Sequence, residues 1–334
     1  MDRLQLLENW LQKQLPGQVF TVAPASADAS FRRYFRVTSG DKTSIAMDAP
    51  PEHEDCTPFV QVAQLLTEAV VHVPDIIARD AAQGFLLLSD LGDTTYLHAL
   101  NREPETANSL YAAATDALVQ MQLIRQLDSL PAYDEKLLRF ELGLFPDWYV
   151  ARHLQAALTD DQQAVLEQTF DRIVRNNLAQ PRVFVHRDYH SRNLMVTTPN
   201  PGVLDFQDAV AGPITYDLVS LLKDAYIQWD EERILDWAIR YWEKARKTGL
   251  PVAGDFGEFY RDFEWMGVQR HIKVLGIFAR LCYRDGKAAY LNDMPRVMHY
   301  LRKACERYQE LRPMLGLLDE LEDNAPAQKV GYTF

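Results

Sequence analysis

Polar and apolar positions alternate through much of the first ninety residues, in TVAPA, FRRYFRVTS, KTSIAMDAP, VPDIIARD and GFLLLSDLG, and turn residues separate the runs. A period of two predicts half-buried strands. Two helices break the series. MDRLQLLENWLQKQLPG places Leu4, Leu7 and Trp10 (or Leu11) at helical spacing, and a second helix is expected around Pro58–Glu68. From about Pro104 the period changes to that of a helix: Leu110, Ala114, Ala117, Met121 and Ile124 form one stripe. Further helices are expected over 137–158 and 160–176, and almost throughout after Asp217. Strands first and helices afterwards indicate an α+β chain rather than alternating βαβ units. The change falls near Asp90–Thr94, which predicts an N-terminal lobe of residues 1–90 and a helical C-terminal lobe of residues 91–334. No internal repeat is visible, and the tail DNAPAQKVGYTF has little to bury.

Composition narrows the class. The 334 residues are 47% hydrophobic and 25% charged, an ordinary globular balance. Thirty-five basic against 47 acidic residues give a formal charge of −12, which disfavours nucleic acid and anionic lipid as partners. Cys56, Cys282 and Cys305 are far apart, with no C-x-x-C pair, so neither a disulfide framework nor a zinc site is expected. The N-terminal segment lacks a signal-peptide core, and no apolar run approaches the ~18 residues of a membrane span. These features predict a soluble, cytoplasmic protein.

The chemistry concentrates in PRVFVHRDYHSRNLMVTTPNPGVLDFQDA, where two β-branched runs flank a polar loop. His186-Arg187-Asp188 followed by Asn193 fits H-R-D-x-x-x-x-N, and Asp205-Phe206 ends the next run, the pattern of a kinase catalytic loop and metal-binding strand. Chance would give H-x-D-x-x-x-x-N about 0.02 times in a chain of this composition. A carboxylate at Asp188 can accept a proton from an attacking hydroxyl. The Asn193 amide oxygen and the Asp205 carboxylate are hard ligands suited to Mg²⁺. His186 is expected to anchor the loop.

His190 extends the loop to H-x-D-x-H-x-x-N, which resembles the aminoglycoside phosphotransferase and choline kinase group more than protein kinases. VLDFQDAVAGPITYDLVSLLKD continues the likeness, with Asp217 as its structural aspartate. Within that group SFRRYFRV, IAMDAPP, LLLSDLG, HRDYHSRNLMV and QRHIKVLGIFARL resemble kinases of the anomeric hydroxyl of N-acetylmuramate and N-acetylglucosamine in bacterial cell-wall recycling. The resemblance implies a two-lobed kinase-like fold and a transfer from ATP, with Mg²⁺, to the 1-hydroxyl of an N-acetylated amino sugar. Leu87–Leu91 would then be the strap whose backbone meets adenine. Arg32, Arg33, Tyr34, Ser89 and Leu91 are the nucleotide candidates.

The chain also departs from the kinase pattern. Ile45-Ala46-Met47 stands where a strand lysine is usual, and ASADASFRRYFRV has no glycine for close backbone approach to phosphate. Arg32 and Arg33 are candidates to compensate, or they are ordinary surface arginines. For the sugar, ELGLFPDWYVARHL offers Glu141, Asp147 and Trp148, with His190 nearby in the loop pattern. On WMGVQRHIKVLGIFARLCYR the residues Arg270, Lys273, Arg280 and Arg284 share an arc of about 80°. That arc, free of acids, is either a reader of the substrate carboxylate or a solvated face. Asp90-Leu91-Gly92-Asp93-Thr94 resembles a phosphate turn of another sugar-kinase fold, but a helix start capped by Asp93 or Thr94 fits it better. An aminoglycoside or choline kinase, or a kinase-fold module without catalysis, are the competing functions.

Overall fold

The computed structural model describes residues 2–26 and 31–323. The glycine-free loop falls partly outside these residues, as does almost all of the C-terminal tail. The chain forms two compact units, residues 1–120 with 193–208, and residues 121–192 with 209–334.

The first unit is built on a five-stranded antiparallel sheet: β1 (Thr21–Ser26), β2 (Arg33–Ser39), β3 (Lys42–Asp48), β4 (Ile76–Asp80) and β5 (Phe85–Ser89), in the order β1-β2-β3-β5-β4. Alternation sorts its residues to two faces. Phe35, Val37, Ala46, Phe85 and Leu87 pack on helix α1 (Arg3–Gln14), which supplies Leu7, Trp10 and Leu11. The buried Asp48 carboxylate ends β3 and holds both Arg3 of α1 and Arg33 of β2. The alternate positions, Tyr34, Arg36, Ile45, Met47, Leu86 and Leu88, lie in register across β2, β3 and β5.

Helix α2 (Thr57–Glu68) packs Phe59 against Phe206, and α3 (Tyr96–Arg102) is capped by Thr95, which accepts from the His98 N–H. The cap is thus one residue beyond the Asp93 or Thr94 expected, because Thr95 is the residue with extended backbone before the first turn. Helix α4 (Ala107–Gln122) follows and stops short of Ile124, whose N–H turns back to the Met121 carbonyl.

The remaining strands of this unit are Leu194–Met195 and Gly202–Val203, a short hairpin tied to the His72 and Thr94 carbonyls. Those bonds explain why the division differs from a single cut at residue 90. The hairpin after the catalytic loop satisfies its backbone in the first unit, and α3 and α4 continue that unit to residue 120.

The second unit is helical: α5 (Glu135–Leu144), α6 (Asp160–Ala179), α7 (Tyr216–Leu222), α8 (Glu231–Lys247), α9 (Phe256–Tyr283), α10 (Met294–Arg307) and α11 (Arg312–Asp323). One antiparallel pair, Arg182–Val185 with Val210–Pro213, joins them. The helix expected over 137–158 is two pieces. After Leu144 the turns widen into a π-helix over Phe145–His153, closed by a bond from the Leu154 N–H to the Tyr149 carbonyl at 2.9 Å. Pro146 has no N–H and would crowd a regular α-turn, and the wider turn accommodates it.

Helix α9 is the centre of this unit, with every residue from Phe263 to Gly276 buried. Gly276 allows the closest approach: a Cβ there would stand 2.7 Å from the Leu144 Cβ and closer still to its carbonyl group. Gly276→Ala therefore overpacks the junction of α5 and the π-helix. We expect it to lower stability by about 1–3 kcal/mol, read from urea denaturation midpoints, despite alanine's higher helix propensity.

Candidate active site

The loop after Arg182–Val185 owes its shape to groups buried beneath it. Asp217, at the start of α7 and fully buried, accepts the backbone N–H groups of His186 (2.6 Å) and Arg187 (3.0 Å). Burial pushes its carboxyl up to about 7, against the pull of those two donors and Arg270. Arg187 takes a left-handed backbone (φ 77°), unusual for a residue with a side chain. It is gripped at three points: its N–H by Asp217, its carbonyl by Arg270 Nη1 at 2.8 Å, and its guanidinium by Glu141 at 2.6 Å. His186 Nδ1 accepts the Asp188 N–H at 3.2 Å.

Glu141 is the hub of this network. It pairs with Lys273 at 2.9 Å and with Arg187, and it accepts hydrogen bonds from Tyr133 and, at 3.1 Å, Gln269. Tyr216 receives Lys273 Nζ at 3.0 Å and Arg270 Nη1 at 3.1 Å. Burial works against ionisation of Glu141, yet Lys273 and then Arg187 hold its carboxyl below the ordinary value. Asp188 lies in the same field. Burial raises it, but Lys273, Arg270, His190 and Arg187 together hold its carboxyl at about 2. Burial keeps His190 below the usual imidazole range, and its Nδ1 has no partner among the described residues.

The expected metal ligands, Asn193 and Asp205, belong to the first unit. Asn193 Nδ2 lies 3.2 Å from Asp205 Oδ2, and Gln207 Nε2 donates to Asp205 Oδ1 at 2.8 Å. Asp205, like Arg187, has a positive φ (62°). An amide and a carboxylate thus meet there, a donor set that suits Mg²⁺, which takes few protein ligands and completes its shell with phosphate and water.

The nucleotide candidates separate. Arg32 pairs with Glu54 at 3.2 Å and lies within the field of Asp208 and Asp205, whereas Arg33 is taken by Asp48. Tyr34 is half-buried beside Met47. The Ser89 hydroxyl accepts the Asp75 N–H at 2.8 Å, and Leu91 packs over Gly202. Sequence reasoning missed Arg36, whose guanidinium clamps Asp90 at 2.7 Å and the Gly92 carbonyl at 2.8 Å, so holding the segment after β5.

The expected cationic face of α9 is not one face. Arg270 and Lys273 are buried and bonded to Glu141, Tyr216 and Arg187, Arg280 is half-buried, and Arg284 pairs with Asp285 in the open. The arc runs from the middle of a surrounded helix to its exposed end, so charges aligned along it meet different surroundings. Glu141, expected to be an acceptor for the sugar, has its oxygens engaged within the protein. Trp148 is half-buried and Asp147 exposed on the π-helix. Tyr133, Gln269 and Tyr216 were also missed. The signal available was the apolar surround of α9: polar residues in such a helix must pair with one another.

Residues 21–251 match the "Phosphotransferase enzyme family", and the chain belongs to that family. Two relatives carry the name N-acetylmuramate/N-acetylglucosamine kinase. One, from Pseudomonas aeruginosa, is 52% identical over 97% of this chain and 98% of its own. The other, from Neisseria meningitidis serogroup B, is 50% identical over the whole of both. Among solved structures, choline kinase from Cryptosporidium parvum Iowa II aligns with a TM-score of 0.63 at 14% identity, over 94% of this chain and 99% of that one. ADP-bound aminoglycoside phosphotransferase APH(2'')-Ib aligns at 0.59 and 12% identity, over 88% and 97%. The fold is therefore the kinase-like fold that these proteins share.

Removing the hub charge leaves two cations buried without a partner. We expect Glu141→Leu to cost about 3–5 kcal/mol in chemical denaturation, with Glu141→Leu/Lys273→Met recovering part of the loss. Strict additivity of the two single changes would show that the pair does not interact.

Proposed function

We propose that the chain transfers the γ-phosphate of ATP to the anomeric hydroxyl of N-acetylmuramate and of N-acetylglucosamine, as a cytoplasmic step of bacterial cell-wall recycling. The observation that carries this reading is the 52% identity, over nearly the full length of both chains, to a relative bearing that kinase name. The residues fit the chemistry. Asp188, held as a carboxylate, accepts the hydrogen bond of the attacking hydroxyl and aims it. Asn193 and Asp205 are the ligands for Mg²⁺, which when bound neutralises charge on the phosphates.

Residues 1–90 form the nucleotide-binding lobe in this reading, and the rest carries the catalytic loop and the sugar. Arg32, near Asp205, takes the part of the absent strand lysine better than Arg33, which Asp48 already occupies. Tyr34 and the backbone of Ser89 and Leu91 complete the adenine surround, with Arg36 fixing the segment that follows. Lys273 and Arg270 serve Asp188 through its field rather than by touching the sugar's carboxylate. His190, whose buried Nδ1 has no partner among the described residues, remains a candidate for the sugar, with Trp148 and Arg280.

A coupled ADP-release assay over N-acetylmuramate, N-acetylglucosamine, choline and an aminoglycoside tests the substrate class; activity confined to the last two would overturn it. Asp188→Asn should lower kcat about 10²–10⁴-fold while leaving ATP affinity, read by nucleotide titration, nearly intact.

The pH dependence has a definite sign. A depressed carboxyl contributes stability that is present above its unfolded value and lost as pH falls through its folded value, here about 2. Asp188 therefore stays ionised across the working range and puts no acid limb on kcat/KM between about pH 5 and 8. Lys273→Met removes the strongest of the cations acting on it, so the Asp188 carboxyl should titrate at higher pH, read by ¹³C NMR of the folded protein. Lys273→Arg should return it, and an Asp188 titration that is the same in all three proteins would refute the coupling.

A further inference from the structure

Four residues beyond Asp188, Arg192 is exposed and yet fixed. Its guanidinium carbon lies 3.6 Å from the centre of the Tyr226 ring and 5.9 Å from that of Tyr290. The chain on either side is pinned through Asp224. One Asp224 oxygen accepts the N–H of Ser191 at 2.9 Å and its hydroxyl at 2.5 Å, and the other accepts the N–H of Tyr226 at 2.9 Å. Asp224 is thereby spent on Ser191 and on the backbone, and Arg192 has no acidic ion-pair partner among the described residues. A cation stacked on two rings and left without an anion, in a chain of net charge −12, is an unusual thing to expose.

The rings lead back to the catalytic loop. His190 sets its edge against Tyr226 with centroids 5.3 Å apart; Tyr226 meets Phe278 at 6.0 Å, and Phe278 meets Tyr290 at 5.1 Å. His190 also donates its backbone N–H to the Asp188 carbonyl at 3.1 Å. The result is an aromatic wall for the CH groups of a sugar ring with an exposed guanidinium beside it, while the unpartnered His190 Nδ1 is buried.

We infer that Arg192, laid across Tyr226, is the group that recognises the carboxylate of the lactyl ether on N-acetylmuramate. The inference rests on the sugar-kinase reading above. The two sugars differ only at O3, where one carries a lactyl ether and the other a hydroxyl. A ring presenting its anomeric hydroxyl to Asp188 has that ether on the carbon after next, along the same edge. A rim cation can accept the charged arm when it is present and idle when it is not, which is what an enzyme serving both sugars requires. Arg270 and Lys273 are ill placed for this part, since both are buried and bonded within the core.

The test compares wild type, Arg192→Gln and Arg192→Lys on N-acetylmuramate, on its uncharged lactyl amide and on N-acetylglucosamine. A charge-assisted hydrogen bond, reduced by exposure to solvent, corresponds to about five- to thirtyfold. Arg192→Gln should lower the ratio of kcat/KM for N-acetylmuramate over N-acetylglucosamine by that factor, chiefly through KM. The lactyl amide should show no such change, and Arg192→Lys should recover part of the loss. An unchanged ratio, or an equal loss with acid and amide, overturns the assignment, and an equal loss on all three sugars assigns Arg192 to holding the wall. Wild-type protein inert towards both natural sugars overturns the sugar-kinase reading itself, and this inference falls with it.

Discussion

Glu141 is a carboxylate in the interior with two cations of its own, Lys273 from α9 and Arg187 from the catalytic loop, and the arrangement of the second unit depends on that charge balance. None of the three is easily buried alone, since an unpaired charge in a protein interior costs several kcal/mol. Together they are tolerable only in one geometry. That geometry joins α5, α9 and the loop, and two hydroxyls add to it, that of Tyr133 donating to Glu141 and that of Tyr216 accepting from Lys273 and Arg270. Apolar packing would hold the same helices together, but it would not tell the loop where to stand.

The loop itself is over-determined. Asp217 fixes two successive N–H groups, Arg270 fixes the carbonyl of Arg187, and Glu141 fixes its side chain. A left-handed residue with a side chain costs of order 1–3 kcal/mol and persists only where its surroundings leave no alternative. The residue that follows is Asp188, so the strain lies immediately beside the carboxylate proposed to orient the hydroxyl. Arg32, Arg36 and Asp48 form ion pairs in the first unit, tying β2 and the residue before it to Glu54, to the segment after β5 and to the end of β3.

Local patterns were readable in the sequence wherever one period dominated. The five strands, α1, α2 and the helical second half follow from spacings of two and of 3.6, and the loop around Asp188 was marked by a motif too improbable to arise by chance. What the sequence hid was governed by partners far along the chain. Pro146 turns an expected helix into a π-helix, at a junction where Leu144 lies too close to Gly276 of α9 for a side chain to fit between them. The hairpin 194–203 joins the first unit because its backbone finds carbonyls at 72 and 94. The four cations of the arc, three on α9 and Arg284 just beyond it, looked alike on a helical wheel, which encodes direction around the axis but not depth. Burial separates Lys273 from Arg284, and it depends on the whole fold.

The depressed carboxyl of Asp188 also bears on the order of events in the proposed transfer. Basicity follows pKa, so a carboxylate stabilised to about 2 is a weak proton acceptor. A sugar hydroxyl is a far weaker acid than any carboxylic acid, and no free alkoxide can form beside such a group. The proton must leave late, after the oxygen has begun to bond to phosphorus and has become acidic through that bond. In a loose transition state this bond is still weak at the summit, and the nucleophile needs little activation before it. The same cations that keep the carboxylate charged thus leave the timing of proton transfer to the substrate, and Asp188 acts on the hydroxyl mainly by aiming its lone pair.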